Sequence, residues 1–430
     1  MGRKLIAGMS MCFLAVIAVH RLFAGEISLT VNKPALSVNS GDVFVLKVSL
    51  LQPTDYKLAV YDQNGKWVRT LSEKYTSDSH VVVPWNLKDS SGKTVNPGSY
   101  TIRLQLSETL SIDTSFGKNG VFTGINFISP WDIVKDNQGN IYLLDGGAAI
   151  LYKFHPDGTP ANDLAGKNTI TAPTAPCWAT VAVGPDGRIY LPLTHTTTHT
   201  ISVYDPKSGA ILYSIGGYEK ITYPNWVGII DHRLYATGDG GGRDACWDAR
   251  KEGNTGVFWV IKSHDMGADI NGSCGDTDGV NALYVASYWK NQLCKLVDTG
   301  ETAKMPYLIN GYFDPSLQKN VSLQDINGIA YDGQSGVFVV ERASSKLIHF
   351  FDGGFGFDYV TSFGSRGEDA AKLEFTAPRS VAVSPDGKSL YLIEDGEPIS
   401  KTDTTPGLAR FIKYKIWYEA QKEIKVTVNP

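Results

Sequence analysis

The chain has 430 residues, of which 42% are hydrophobic and 20% are charged, so it is long enough for two or three globular domains. Its formal net charge at pH 7 is −4 and its basic residues form no cluster, which excludes nucleic acid and anionic lipid as expected partners. Beyond the first 24 residues, no apolar stretch is long enough to cross a bilayer.

Residues 1–24 have the pattern of a secretory signal peptide. Arg3 and Lys4 precede an apolar run that is too short for a membrane span, and Ala24 provides a small residue at a cleavage site. We therefore expect a secreted or periplasmic protein after this segment is removed. Removal also takes away the three positive charges of Arg3, Lys4 and Arg21, which lowers the formal net charge from −4 to −7.

Residues 25–107 alternate short β-prone runs with turn signals, which is typical of an immunoglobulin-like β-sandwich. The run "YKLAVYDQNGKWVRTL" predicts a hairpin that turns at Asn64-Gly65, a dipeptide suited to tight hairpin turns. The inward-facing residues of a two-sheet core are Val83, Trp85, Tyr100, Ile102 and Leu104.

The segments "VYDQNGKWVRTL" and "DSSGKTVNPGSY", together with Trp85 and the strand that follows them, resemble the immunoglobulin-like domain of flagellar hook-capping proteins. That resemblance implies a spacer or attachment module. The same stretch contains no candidate catalytic group, so we look for function in the rest of the chain.

Residues 108–417 contain an internal repeat, which decides the fold of the larger domain. The clearest copies are "SPWDIVKDNQGNIYLLD" (129–145), "VAVGPDGRIYLPL" (181–193) and "APRSVAVSPDGKSLYLIED" (377–395). Each copy has a strand, a polar turn with glycine and a second strand, and most copies are followed by a third strand. Six units recur at about 46 to 56 residues, the size of a propeller blade. We therefore predict an all-β chain in which the sandwich is followed by a six-bladed β-propeller over residues 108–430.

The units resemble NHL repeats, and the stretch "SFGSRGEDAAKLEFTAPRSVAVSPDGKSLYLIEDG" at 362–396 is the fullest match. The segment "DTSFG" at 113–117 echoes "VTSFG" at 360–364, which occupies an outer-strand position between two units. We therefore expect the strand near 111–117 to close the sixth blade, because that pairing removes two open sheet edges. The tail "KEIKVTV" at 422–428 is the alternative for this position, or an extra strand beside it.

Aligning the units places six side chains at the starts of the inner strands, beside the channel along the propeller axis. These six are Trp131, Ala179, Asn225, Asn271, Asn327 and Arg379. Carboxamides donate and accept hydrogen bonds, and an arginine can hold a carboxylate or phosphate by two parallel bonds. We therefore predict that all of these except Ala179 line a ligand-binding axial mouth. The alternative is that each asparagine only turns the chain.

The loops after the second strands lie on the same face as the starts of the inner strands. Their candidate ligand-binding residues are Asp145, Asp239, Trp289, Glu341 and Arg342. Sugar-binding clefts combine flat aromatic surfaces with hydrogen-bonding carboxamides and carboxylates. The predicted ligand is therefore polar, and either anionic or a saccharide.

No metal site is predicted, and calcium is the alternative cofactor. Asn271 and Asn327 resemble the asparagines at "NG" strand starts that hold a divalent cation in regucalcin and gluconolactonase propellers. Calcium prefers carboxylate ligands, and Arg379 in the same ring would oppose a cation. His195 and His199 in "THTTTHT" do not predict a zinc site, because residues four apart on a strand lie about 13 Å from each other.

Four cysteines follow the signal segment, and export permits disulfides. We place Cys177 and Cys246 on the proposed binding face, where a disulfide between them would pin the long loop of the third unit. Cys274 and Cys294 fall on the first and third strands of one blade. Such strands are about 9.5 Å apart, beyond disulfide reach, so we expect both thiols to be reduced.

The leading hypothesis is an exported binding protein whose axial mouth takes a small polar ligand or a saccharide. The first alternative is a propeller enzyme, a lyase or a lactonase-type hydrolase, in which Arg379 stabilises charge and Glu341 acts as the base. The second alternative is a scaffold that docks another protein. The sequence contains no recognised catalytic motif, and the fold does not choose among the three because propellers host all of them.

Overall fold

The computed structural model describes residues 27–164, 166–171, 179–193, 198–238, 243–262, 272–287, 289–315, 317–397 and 408–430. Within these ranges the chain is built from β-strands, with two short 3₁₀ helices at Gly253–Gly256 and Ala370–Lys372. The predicted all-β class is therefore confirmed. None of the helices in the described ranges has the length and apolar character needed to cross a membrane. The predicted signal peptide, residues 1–24, lies outside the described residues.

The first domain is a two-sheet sandwich. Its strands are β1 (Ser28–Val31), β2 (Ala35–Ser37), β3 (Phe44–Ser49), β4 (Thr54–Asp62), β5 (Trp67–Thr76), β6 (His80–Trp85) and β7 (Gly98–Ile112). One sheet has the order β1-β3-β6, and the other contains β7-β4-β5. Trp85 lies in the core between them, stacked on Phe44 and edge-on to Tyr100. The predicted core of the sandwich is confirmed, since it also contains Val83, Ile102 and Leu104.

The repeats fold into successive antiparallel sheets whose strands pair in chain order. The first two sheets contain β8 (Pro130–Lys135), β9 (Ile141–Asp145), β10 (Ile150–Phe154) and β11 (Thr169–Thr171), then β12 (Ala182–Val183), β13 (Ile189–Pro192), β14 (Thr200–Tyr204) and β15 (Ile211–Gly216). The next two contain β16 (Pro224–Ile230), β17 (Arg233–Gly238), β18 (Arg243–Asp248) and β19 (Val257–Lys262), then β20 (Cys274–Thr277), β21 (Ala282–Ser287), β22 (Gln292–Asp298) and β23 (Ala303–Ile309).

A hairpin of β24 (Gly311–Asp314) and β25 (Lys319–Ser322) precedes the fifth repeat sheet. That sheet contains β26 (Ile326–Tyr331), β27 (Gly336–Glu341), β28 (Lys346–Asp352) and β29 (Phe357–Phe363). The chain then passes through β30 (Ser365–Arg366) and β31 (Glu374–Phe375), which pair in parallel. The last strands are β32 (Pro378–Val383), β33 (Ser389–Asp395) and β34 (Ala409–Asn429).

An aspartate fixes the turn after several of the inner strands. Asp136 accepts hydrogen bonds from the backbone N–H groups of Gln138 and Asn140 at 2.9 and 2.8 Å. Asp332 accepts three such bonds, from the N–H groups of Gln334, Ser335 and Gly336. Because the carboxylate supplies acceptors that the turn backbone lacks, an aspartate at this position favours a tight strand reversal.

The innermost strands contact one another in a closed ring, which makes the larger domain a β-propeller. Asp132 bonds to the N–H of Val181, and Thr180 bonds to the carbonyl of Asn225. Thr277 bonds to the carbonyl of Ile229, and Asp276 bonds to the N–H of Tyr331. Gly328 packs against the backbone of Ser380, whose hydroxyl bonds to Asp132 and so closes the ring. Each sheet therefore presents its first strand to a common axis, as the repeat predicted.

The final strand connects the two domains. Residues Ala409–Lys415 of β34 pair with β33 in the propeller, and residues Ile416–Val428 pair with β7 of the sandwich. The tail at 422–428 was the alternative to the strand near 111–117 for closing the last blade, and it does not occupy that position. It belongs to the sandwich sheet, where Val426 and Val428 are buried in the sandwich core.

The outer position of the last propeller sheet is filled from the segment before the first repeat, and of residues 113–117 only Asp113 bonds to β34, through its N–H to the carbonyl of Lys413. The end of β7 and a single bridge between Val121 and Ile412 lie against β34 there. Residues 113–117 form a turn instead, because Asp113 accepts hydrogen bonds from the N–H and hydroxyl of Ser115.

Candidate functional site

Four of the predicted mouth residues occupy one equivalent position. Trp131, Asn225, Asn327 and Arg379 are each the extra residue of a β-bulge at the start of an inner strand. A bulge leaves one residue unpaired and redirects its side chain, and bulges are common beside functional sites. We call this end of the axial channel the upper mouth. Asn271, the fifth predicted residue, lies outside the described part of the chain.

Arg379 is the charged member of the upper mouth. Its side chain is 31% exposed, and its Nη1 lies 3.9 Å from Oδ2 of Asp395. Asp395 is bonded more closely to Arg342, whose Nη2 lies 3.1 and 3.2 Å from its two oxygens. Burial lowers the pKa of Arg379, and the nearby Arg342 lowers it further while Asp395 opposes the shift. Two guanidinium groups therefore share one carboxylate, and Arg379 has the weaker contact.

The side chains of Asn327 and Trp131 bond within their own loops. Asn327 Nδ2 donates to the carbonyl and to the carboxylate of Asp325 at 2.9 and 2.7 Å. Trp131 Nε1 donates to Ser129 Oγ at 3.0 Å, and its indole lies so close to Gly146 that a side chain there would overlap it. For Asn327 this geometry agrees with the alternative that the asparagine turns the chain.

The predicted loop carboxylates hold the backbone. Asp145, at the end of β9, accepts N–H bonds from Ile128 and Ser129 just before the inner strand of the same sheet. Glu341, at the end of β27, accepts from the N–H of Gln324 at 2.8 Å and bonds to the Ser344 hydroxyl. Burial raises the pKa of Glu341. Both side chains are buried, so they hold the backbone at the upper mouth in place.

The other predicted loop residues have separate environments. Trp289 is 66% exposed on the loop after β21, and Arg342 is buried against Asp395 and the carbonyl of Glu397. Asp239 lies outside the described residues. The structure therefore brings Arg342 to Arg379 and leaves Trp289 as an exposed aromatic surface.

The prediction that Cys246 lies in a loop was wrong. Cys246 is a free thiol in the interior of β18, paired to β17 and β19 on either side. Burial raises its pKa to about 12. Its expected disulfide partner, Cys177, lies outside the described residues. Cys274 and Cys294 are free and buried, as expected.

The opposite end of the channel contains a cavity that the sequence analysis did not consider. We call it the lower mouth; its volume is about 490 Å³, and its walls include Lys135, Asp231 and Asp276 at or near the ends of the inner strands. Lys135 Nζ lies 3.7 Å from Asp276 Oδ2, which joins the first and fourth repeats. Asp132 lies further along the channel, and burial raises its pKa to about 6. The polar turn that follows the inner strand of each repeat was the sequence feature that could have indicated this cavity.

A cluster of five ionisable side chains lies between the two domains. We call it the junction cluster, and it consists of Lys57, Glu73, Glu108, Asp332 and His349. Lys57 Nζ lies 3.0 Å from Glu73 and 3.5 Å from Asp332, and His349 Nδ1 lies 2.6 Å from Glu108. Glu73, Glu108 and His349 have the spacing of metal ligands. The Lys57 ammonium already supplies a cation beside Glu73, and His349, when protonated, supplies a second one beside Glu108, against three carboxyl groups in the cluster.

Comparison with known proteins identifies the first domain. Residues 34–109 match the FlgD Ig-like domain family, which confirms the predicted hook-capping type. No protein with a curated description matches the chain. A Bacteroides thetaiotaomicron protein of unknown function is 12% identical with a TM-score of 0.48, and the match covers 91% of this chain and 98% of that one.

Two further solved structures are similar to this chain. A streptogramin B lyase is 12% identical with a TM-score of 0.45, and the match covers 72% of this chain and 98% of the lyase. Regucalcin, a calcium-binding protein from Agrobacterium tumefaciens, is 13% identical with a TM-score of 0.45, and the match covers 72% of this chain and 96% of regucalcin. Identities this low carry no information about the ligand or reaction of this chain.

Proposed function

We propose that this chain is an exported binding protein with a six-bladed NHL-type propeller, whose upper mouth binds a small ligand that carries a carboxylate, such as a uronic acid. The observation that supports this is Arg379. Its side chain is 31% exposed, and its ion pair with Asp395 is long at 3.9 Å. A ligand carboxylate would add the two parallel hydrogen bonds for which a guanidinium is shaped.

The charge around Arg379 favours an anion over calcium. Arg342 and Arg379 both face Asp395. A cation here would therefore meet two positive groups, while the nearby carboxylates of Asp395 and Asp325 are already bonded to Arg342 and Asn327. Calcium instead prefers several carboxylate oxygens that are not already paired. The upper mouth therefore suits an anionic ligand.

Binding is also favoured over catalysis at this mouth. The enzyme hypothesis needs a base, and Glu341 was the candidate. Its two oxygens are bonded to the N–H of Gln324 and the hydroxyl of Ser344. A base must reach the proton that it removes, and a buried carboxylate that holds a loop does not offer that reach.

Isothermal titration with galacturonate and glucuronate, beside galactose and glucose, tests the proposal. We expect the uronates to bind and the neutral sugars to bind more weakly at this mouth. Arg379→Gln should weaken uronate binding about tenfold to hundredfold, because hydrogen bonds to a charged group contribute about 1.5–3 kcal/mol.

Arg250→Gln is the matched control. Arg250 pairs locally with Asp248 at 2.7 Å and its side chain is mostly exposed, so this change removes the same charge far from the mouth. Uronate affinity should be unchanged in it. An equal loss in both variants, or no uronate binding by the parent protein, would contradict the proposal.

A further inference from the structure

A cleft of about 620 Å³ lies between the sandwich and the propeller, within the roughly 300–1,000 Å³ range of small-molecule sites. We call it the interdomain cleft. The sandwich side contributes residues of β4, β5, β7 and the second half of β34, and the propeller side contributes the turns after β26 and β32. Its principal lining side chains are Tyr61, Trp67, Arg103, Gln105, Gln334 and Trp417.

Aromatic rings line the sandwich side of this cleft. Trp417 is 45% exposed, and Trp67 is half-buried with its Nε1 donating to Thr70. The Arg103 guanidinium lies over the Tyr61 ring, 4.4 Å from its centroid. The cleft therefore presents flat apolar surfaces that are fixed in place by polar contacts.

The buried charged groups that line the cleft are already paired, and the two exposed ones at its edge, Asp386 and Lys388, carry one charge of each sign. Lys57 contacts Glu73 and Asp332, and Arg103 Nε lies 2.6 Å from Glu423. A charged ligand would have to compete with these pairs. The cleft therefore favours a ligand without net charge.

Neutral carboxamides supply hydrogen bonds between the rings. Gln105 is buried, and Gln421 is exposed at the edge of the cleft. The Oε1 atom of Gln334 is buried and has no hydrogen-bond partner within the described residues. A buried acceptor of this kind is stabilised when a ligand hydroxyl donates to it.

We propose that the interdomain cleft binds a neutral oligosaccharide. Sugar rings have apolar faces that pack on aromatic side chains and hydroxyl rims that bond to carboxamides, and this cleft combines both with paired charges. The cleft and the lower mouth share Gly333 and Pro385 in their walls. They therefore adjoin, which gives an extended chain of sugars a continuous surface and favours an oligomer over a monosaccharide.

Titration calorimetry of the purified protein with cellohexaose, xylohexaose, mannohexaose and laminarihexaose tests this proposal. We expect at least one of these hexasaccharides to bind. Trp417→Ala should weaken that binding about tenfold, because stacking on an exposed aromatic ring is lost. Gln421→Ala provides a second variant at an exposed position, and we expect a smaller loss.

Phe355→Ala is the control, because Phe355 is also an exposed aromatic residue but belongs to the turn between β28 and β29, outside the cleft lining. Its hexasaccharide affinity should equal that of the parent protein. The proposal is overturned if none of the four hexasaccharides binds, or if Phe355→Ala loses as much affinity as Trp417→Ala. Preferential binding of an unstructured peptide over all four sugars would also overturn it.

Discussion

The junction cluster and the upper mouth both take positive side chains out of bulk water, but they satisfy them differently. Lys57 is 5% exposed and lies within 3.5 Å of both Glu73 and Asp332. Arg379 is 31% exposed and has one ion pair at 3.9 Å. A buried charge that is fully paired supports the fold, whereas a partly paired charge that water can reach is available to a ligand.

The pKa shifts of the two groups run in opposite directions. Burial alone would lower the pKa of Lys57, but Glu73, Tyr418 and Asp332 outweigh it and raise that pKa well above its usual value. Burial lowers the pKa of Arg379, and its neighbours do not reverse the shift. The junction cluster therefore stabilises its cation more strongly than the upper mouth does.

The largest expected effect comes from removing the cation of the junction cluster. Lys57→Met leaves Glu73 and Asp332 buried without their partner, and breaking a buried pair in this way costs about 3–5 kcal/mol of unfolding free energy. Guanidinium denaturation followed by circular dichroism measures the loss.

Lys33→Met is the control for this change. Lys33 pairs with Asp42 at 2.9 Å, but both side chains are about half exposed, so its removal should cost about 0–1 kcal/mol. If the two variants lost the same stability, Lys57 would contribute no more to folding than a surface ion pair, which would contradict the prediction.

Stability should fall as the pH rises from 7 to 10. Burial opposes protonation of His349, but Glu108 and Asp332 outweigh it and raise its pKa from 6.5 to about 10. The folded protein then holds a proton that the unfolded chain has released, so the stabilisation is complete below pH 6.5 and is lost as the pH passes 10. The free energy of unfolding should decrease by at most about 1.4 kcal/mol per pH unit in this interval.

Glu73 extends the same trend to lower pH. Burial raises its pKa from 4.5 to about 7, so its contribution is present below pH 4.5 and is lost as the pH rises to 7. Denaturation midpoints at pH 8, 8.5 and 9 isolate the histidine, because Glu73 has released most of its proton by pH 8. In His349→Gln the slope across these values should flatten, and a parent protein whose midpoint does not change would rule out a charged His349.

The repeat and the sandwich could be predicted because their signals are local. Each propeller unit has a strand, a polar turn and a strand in the same order, and the backbone bonds by which an aspartate holds the turn come from residues beside it. The destination of β34 could not be predicted. The alternation of Ile424, Val426 and Val428 suits any half-buried sheet, and only the folded chain shows that β7 is the edge it meets.

The positions of the upper-mouth residues in the repeats could be predicted, but the contacts of their side chains could not. Aligned repeats placed Asn327 and Arg379 at equivalent positions, and both are bulge residues. The Asn327 amide bonds to Asp325, but no aspartate stands at the equivalent position before Arg379. The interdomain cleft was missed because it depends on distant partners. Lys57 and Asp332, for example, are separated by 275 positions, and no repeat or motif relates them.

The smallest expected effect, from Asn327→Ala, separates the two members of the upper mouth. The Asn327 amide is already bonded to the carbonyl and carboxylate of Asp325, so its loss should cost about 1 kcal/mol of stability. Galacturonate affinity should change by less than about twofold, because a carboxamide that bonds within its own loop contributes little net binding energy. Titration of this variant beside Arg379→Gln measures the difference. Equal losses in the two variants would mean that the ligand displaces the Asp325 contact, and that the ring of bulge residues binds as one unit.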